Sequence, residues 1–134
     1  MRTWLYQTLI NAPTLQAVLE ATDLSERVFQ GESLDTNQII KPFLVYTIGN
    51  STSEHLSDYH TANRQFFTIF VHDQPADYTK IDDVVKVVKT LLVGAGDKAS
   101  HMMIIRHLET SRDLDDQTMN TILRYIRFQA IMEE

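Results

Sequence analysis

Two segments of this chain have the composition of β-strands that are apolar on both faces, and they limit the possible folds more than any other part. One runs from Pro42 to Ile48 and is rich in β-branched and aromatic residues, with proline at its start, where a missing N–H is tolerated. In the other, Arg64 to His72, alternation separates two faces: Phe67, Ile69 and Val71 on one, and Phe66, Thr68 and Phe70 on the other. A fold that contains these strands must shield apolar side chains on two sides.

The segment between these strands, Gly49 to Asn63, is the most polar part of the chain and is rich in Ser, Thr, Asn and His. A strand, a polar segment and a second strand together predict a long hairpin. Its tip, Asn50 to Asn63, is longer than an ordinary hairpin loop. Such an extension is typical of a binding arm, and disorder is the alternative.

Helical periodicity is clearest after the second strand. An apolar residue recurs every three or four positions, at Ile81, Val84, Val85, Val88, Leu91 and Leu92. Gly94 and Gly96 follow as a helix stop, since the Gly94-Ala95-Gly96 stretch lacks the lysine and hydroxyl residue of a phosphate-binding loop. Two shorter helices are predicted before and after Pro13, because proline cannot continue a helix.

The remaining segments complete an α+β pattern. A short strand is predicted at Arg27 to Gln30, and two more at Met102 to Leu108 and Thr121 to Met132, joined by an acidic turn. The order predicts one domain over residues 1–134. We expect a mainly antiparallel sheet of four to five strands, with helices packed on one face and a long protruding hairpin.

The composition excludes several classes of protein. Cysteine is absent, so the chain has no thiol nucleophile, disulfide or thiolate metal site, which suits a reducing cytoplasm. No apolar run has the length of a signal peptide core or a membrane span, so export by the standard route is not expected. The formal charge is −6, and an acidic chain without a basic stripe repels phosphate backbones. Sequence-specific binding to nucleic acid is therefore not expected.

Two polar clusters deserve comparison with known chemistry. His55 and His60, beside Glu54 and Asp58, are residue types that zinc accepts, but a site needs three or four ligands in fixed geometry. A solvated loop or a partner-contact loop is the simpler interpretation. Residues 113–117 resemble a calcium loop but lack its turn glycine and distal glutamate, which favours an exposed acidic turn. We predict no catalytic residues, no metal, no cofactor and no enzymatic activity.

The two-faced strands instead predict assembly. If helices cover only one side of the sheet, the other face keeps open apolar surface, which usually marks a protein contact. The alternative is that a helix from the N-terminal region covers that face.

The sequence resembles the tail terminator (tail completion) family of long-tailed bacteriophages. The resemblance spans nearly the whole chain and depends on the order and spacing of hydrophobic segments. Its opening part consists of Pro13-Thr14-Leu15-Gln16-Ala17-Val18-Leu19, then Arg27-Val28-Phe29, then Pro42-Phe43-Leu44-Val45-Tyr46. Its second part consists of the polar segment, the strand from Arg64 to Val71, the helix from Ile81 to Leu92, and a hairpin turning at Asp115-Asp116-Gln117-Thr118.

The resemblance implies a structural virion protein in the neck region of the tail, assembled in the host cytoplasm. Members of that family form a ring, typically hexameric, at the head-proximal end of the tail tube, end tube polymerisation, and offer a surface to head-completion proteins. The implied partners are copies of the chain, the tail tube protein and a head-completion or connector protein, with DNA passing through the ring. The residues predicted to contact partners or to line that channel are Glu54, His55, Asp58, Tyr59, His60, Asp113, Asp115 and Asp116. Another head–tail connector, or a small metal-binding or enzymatic domain, remains an alternative.

Overall fold

The computed structural model describes residues 2–31, 42–57, 60–74, 78–94, 104–116 and 121–133. They form three helices and six strands: α1 (Arg2–Ile10), α2 (Pro13–Leu19), β1 (Val28–Gln30), β2 (Phe43–Ser57), β3 (His60–Asp73), α3 (Tyr78–Gly94), β4 (Ile104–Thr110), β5 (Leu114–Asp116) and β6 (Thr121–Glu133). The predicted α+β class is confirmed. The predicted four to five strands are an undercount, because β5 pairs as a strand within the segment expected to be an acidic turn.

All six strands belong to one mixed, mostly antiparallel sheet. Its order is β1-β2-β3-β6-β4, and β5 also pairs with β6, beside β4. Only β1 runs parallel to its neighbour β2, with Val28 opposite Leu44. β3 and β4 are consecutive strands along the chain but do not pair with each other, because β6 lies between them.

The polar segment between the two central strands is largely paired rather than a loop. β2 and β3 pair from Phe43↔His72 to Ser57↔His60, with register shifts between Ile48 and Ser51 and between His55 and Ser57. At the first shift, the side-chain amide of Gln65 donates a hydrogen bond to the carbonyl of Gly49 over 2.7 Å. Whether this hairpin protrudes from the domain stays a prediction.

Local sequence explains where the N-terminal helices begin and end. Pro13 occupies the first turn of α2, where its missing N–H removes no helical hydrogen bond. Glu20 ends α2 in the left-handed region with φ 56°. Arg27 then links this region to the sheet, since its guanidinium donates to the carbonyls of Leu19 and Pro42. Among the helices described, none has the length and hydropathy needed to cross a membrane.

One face of the sheet packs against all three helices. Cross-strand partners lie on the same face of a sheet, so the pairs Tyr46↔Ile69 and Ile69↔Ile126 define a continuous row. The buried apolar strand residues on this face are Val28, Leu44, Tyr46, Phe67, Ile69, Val71, Ile105, Ile122, Ile126, Phe128 and Ala130. They form one core with the buried helix residues Leu5, Leu9, Leu15, Leu19, Ile81, Val84, Val85, Val88 and Leu92.

Candidate assembly surfaces

The opposite side of the sheet, which we call the open face, has no described helix packed on it. The same register places alternate residues there, in rows such as Val45↔Phe70 and Phe70↔Tyr125. The two buried apolar strand residues of this face, Phe43 and Val45, lie outside the helix-packed core. The alternative that an N-terminal helix covers this face is therefore wrong for the described helices, since α1 and α2 pack on the other side.

At the end of the open face near Asp73, the side chains of the face bury one another. Phe43 is 1% exposed and stacks on the imidazole of His72, with ring centroids 4.7 Å apart. The Phe29 ring meets Phe43 edge-on at 6.0 Å. His72 is buried, and its Nδ1 shares a hydrogen bond of 2.9 Å with the hydroxyl of Thr121. This histidine belongs to the interior of the sheet, not to an exposed strand edge.

The end of the open face towards the β2–β3 turn is exposed. Phe66 is 37% exposed and Ile104 is 58% exposed, while an ordinary buried core residue in this chain is below 5%. Arg127 lies in the next row, opposite Thr68 and Glu109, and contacts two neighbours. Its guanidinium is 3.0 Å from Glu109, and its Cζ lies 5.2 Å from the Tyr125 ring centroid. We call this region the distal patch, and its members are Arg64, Phe66, Ile104, Arg106, Glu109 and Arg127.

A second polar surface lies at the other end of the molecule, where α3 begins. Its exposed carboxylates are Asp82, Asp113 and Asp115, and we call this group the acidic corner. Arg124 connects its two elements: its Nη1 bonds Asp82, and its Nε lies 3.9 Å from Asp113 and donates to the Ser111 carbonyl at 3.1 Å. The start of α3 and the β4–β5 connection are thereby held together.

Of the eight residues that the sequence singled out, the six that the structure describes fall into two separate groups. Glu54, His55 and His60 lie near the β2–β3 turn, where only their backbone register is described. Asp58 and Tyr59 lie outside the described residues.

The second group lies at the opposite end of the sheet. Asp113 precedes β5, while Asp115 and Asp116 lie within it, opposite Ile122 and Thr121. Ile122 pairs with Asp73 and Glu133 with Ala62, so the two groups are separated by eleven strand positions, roughly 35 Å. They do not form one site.

The histidines with described side chains make ordinary internal contacts. His107 Nε2 shares a 2.7 Å hydrogen bond with the Thr110 hydroxyl, and its ring meets Phe128 edge-on at 6.0 Å. Burial and the nearby Lys89 lower the pKa of His107 below its ordinary value. In the part of the chain that the structure describes, no three histidines or carboxylates lie close enough to share a metal ion.

A groove between α2 and α3, on the helical side of the sheet, was not predicted from the sequence. Its volume is about 600 Å³, and it is lined by Thr14, Val18, Asp83, Lys86, Val87, Thr90 and Leu91. Val18, Val87 and Leu91 are half-buried, so the apolar stripe of α3 is wider than the part that contacts the sheet. Helical periodicity locates the apolar residues of α3, but it does not distinguish those inside the hydrophobic core from those at the edge of the core.

Comparison with known proteins gives a likeness in fold. No family model and no curated protein matches the sequence. Among solved structures, the chain is similar to a chain of the "Virion of native gene transfer agent (GTA) particle". The TM-score is 0.70 and the sequence identity 15%, over 96% of this chain and 91% of that chain. At this identity, the likeness concerns the fold.

Proposed function

We propose that this chain is a structural protein of a phage-like virion, and that it acts as a tail terminator. The observation that carries the proposal is the likeness in fold, over 96% of the chain, to a chain of a gene transfer agent virion. The resemblance of its sequence to tail terminators, which depends on segment order and spacing, supports the finer role. Copies of the chain form a ring at the head-proximal end of the tail tube, and a hexamer is the stoichiometry to be tested.

The distribution of surfaces supports a ring rather than a closed pair. A ring needs two different complementary surfaces on each subunit, whereas a two-fold dimer uses one surface twice. The distal patch and the acidic corner differ in composition and lie at different ends of the described sheet. Such a subunit has the means to bind one neighbour on each side.

The proposed role requires binding and no chemical step. Polymerisation of the tail tube ends when the ring occupies its last layer, and the exposed side of the ring receives a head-completion protein. The acidic formal charge of −6 suits a channel through which DNA passes without adhering. In this proposal the residues near the β2–β3 turn, Glu54, His55, Asp58, Tyr59 and His60, contact partners or line that channel.

The test is deletion of the gene for this chain in a strain that produces the phage-like virions. We expect heads without tails, and tail tubes of uncontrolled length, because nothing ends polymerisation. Purified chain added to tubes should bind one end and stop further growth, as seen by negative-stain electron microscopy. Tails of normal length joined to heads in the deletion strain would contradict the proposal.

A different connector of the neck is the alternative that shares the same fold evidence. A head-completion protein binds heads that carry a portal, and a terminator binds tail tubes. Incubation of the tagged chain with isolated heads and with isolated tubes separates the two roles, because each role predicts capture of only one of them.

A further inference from the structure

β2 carries one extra residue partway along its pairing with β3. The regular register ends at Ile48↔Phe67 and resumes at Ser51↔Gln65, so two residues of β2 lie opposite a single residue of β3. These residues are Gly49 and Asn50, opposite Phe66. Such a β-bulge interrupts the ladder of hydrogen bonds and bends the strand that carries it. We call it the Gly49 bulge, and we call the paired segments beyond it, 51–57 and 60–65, the outer hairpin.

Burial of apolar side chains fixes the register of β2 before the bulge but not after it. Leu44 and Tyr46 are buried in the helix-packed core, and a slip by one residue would move them to the other face. From Ser51 to His55, in contrast, every residue of β2 is polar, so no apolar pattern distinguishes one register from the next. Another interaction must select the register of the outer hairpin.

The side-chain amide of Gln65 supplies an interaction at the bulge itself. Its nitrogen donates to the carbonyl of Gly49 over 2.7 Å and to the carbonyl of Phe66 over 3.3 Å. A primary amide has two N–H donors, so one side chain reaches a carbonyl on each strand where the ladder is interrupted. Gly49 suits this close approach, because a Cβ at that position would lie 3.3 Å from the Phe66 carbonyl oxygen.

The bulge decides which face of the sheet carries each residue of the outer hairpin. In the observed register, Glu54 lies opposite Ala62 in a row of the open face, and His55 lies opposite Thr61 on the other side. If the register before the bulge continued unchanged, Glu54 would lie opposite Thr61, and Glu54 and His55 would exchange faces. Both are proposed to contact partners or to line the channel, so the two registers present different surfaces.

We propose that Gln65 is a positioning residue, which selects the bulged register of the outer hairpin over the continued register. Its amide compensates for the ladder interrupted at Gly49, and it thereby determines which residues of β2 a partner meets on each face. This inference deepens the proposed function, on which it rests in assuming that the outer hairpin contacts a partner. The selection of the register by Gln65 does not depend on which partner that is.

Pairs of introduced cysteines report the register, because the chain has no cysteine of its own. Ser53→Cys with Asn63→Cys places two cysteines opposite each other in the bulged register, and Ser53→Cys with Ala62→Cys does so in the continued register. Opposite residues have Cα atoms about 4.5–5.5 Å apart, which a disulfide can bridge, whereas cysteines that point to opposite faces are not joined. Neither pair replaces a residue proposed to contact a partner.

The measurement is the equilibrium constant for disulfide formation of each pair in a glutathione buffer. The ratio of the two constants, bulged pair over continued pair, should fall about three- to tenfold in Gln65→Ala, as expected for the loss of one net hydrogen bond. Gln30→Ala is the matched control, since it makes the same change at an exposed position of β1 and should leave the ratio unchanged. Gly49→Ala is a second perturbation that should lower the ratio, because its methyl group crowds the Phe66 carbonyl in the bulged register.

The same disulfides test whether the register matters for binding. In the Gln65→Ala chain, the oxidised Ser53→Cys/Asn63→Cys variant should capture isolated tail tubes as the original chain does. The oxidised Ser53→Cys/Ala62→Cys variant should lose this capture, because its residues are presented on the wrong faces. Reduction of that disulfide is the internal control, since it changes no residue, and capture should return.

The outcomes separate this inference from the proposed function. An unchanged ratio in Gln65→Ala, or equal capture of tail tubes by the two oxidised variants, would overturn the inference and leave tail termination intact. Equal losses in both equilibrium constants would also overturn it, because Gln65 would then stabilise the hairpin without selecting its register. If no form of the chain captured tail tubes, the proposed function would be overturned, and the ratio would still decide whether Gln65 selects the register.

Discussion

Phe66 and Phe67 are neighbours on β3, yet the first is 37% exposed and the second is 1% exposed. On β3 both faces carry phenylalanine side chains, and the difference in exposure lies in what packs against each face. α1, α2 and α3 all pack on the Phe67 side. The comparison teaches that in this chain the helix-packed face holds the fold together, whereas the distal part of the open face is available for binding.

The largest expected effect comes from comparing one phenylalanine on each face. Phe128 is fully buried and stacks on Phe67, with centroids 5.2 Å apart. Phe128→Ala should lower the free energy of unfolding by about 3–5 kcal/mol, because it removes buried apolar contacts and leaves a cavity. Phe66→Ala should lower it by less than about 1 kcal/mol. Urea denaturation measures both, and equal losses would show that the open face also supports the fold.

A medium effect on the free energy of unfolding is expected at the end of the open face near Asp73, where the side chains bury one another. Thr121→Val removes the hydroxyl that shares a hydrogen bond with buried His72, so the free energy of unfolding should fall by about 1–2 kcal/mol. Thr68→Val is the control, since Thr68 is half-buried on the same face, further along β3. Thermal unfolding compares the two. A loss no larger than that of the control would mean that this end of the face behaves like the exposed end.

The smallest expected effect concerns pH at the border of the helix-packed face. The pKa of His107 lies below its ordinary value of 6.5 in the folded chain, because burial and the positive charge of Lys89 disfavour protonation. As pH falls below about 6.5, the unfolded chain takes up this proton before the folded chain does. The free energy of unfolding should therefore decrease over that window and stop changing below the folded pKa.

His107→Gln provides the comparison for this pH effect. Denaturant titrations between pH 7.5 and pH 5, run in parallel, should give a shallower pH dependence for the variant than for the original chain. A steeper dependence in the variant would mean that folding raises the pKa of His107 instead of lowering it.

Sequence patterns predicted the parts of this fold that depend on local periodicity. The stripe from Ile81 to Leu92 became α3, and the segments around Phe43 and Phe67 became central strands. The position of β6 between β3 and β4, and the pairing of β5, were missed. Both depend on contacts between residues far apart in the chain, which no local pattern records.

The candidate assembly surfaces were predicted only in part, because they also depend on contacts between residues far apart in the chain. Alternation indicated that β3 is apolar on both faces, so Phe66 was within reach of sequence reasoning. Arg106 was not singled out, because its place in the row with Gln129 and Phe66 requires the register of three strands. The six described residues among those singled out lie in two distant groups, since a shared residue type says nothing about the distance between residues along a sheet.

β6 follows all the other described strands along the chain, yet it occupies the interior of the sheet. During synthesis on a ribosome, β3 therefore emerges long before its partner on that side, and β4 and β5 emerge before the one strand with which they are described to pair. The nascent chain must keep these backbone edges apart from other chains until Thr121–Glu133 arrives. Loss of β6 would consequently leave β1, β2 and β3 as one sheet and deprive both β4 and β5 of the strand with which they are described to pair, rather than shorten the sheet at one border.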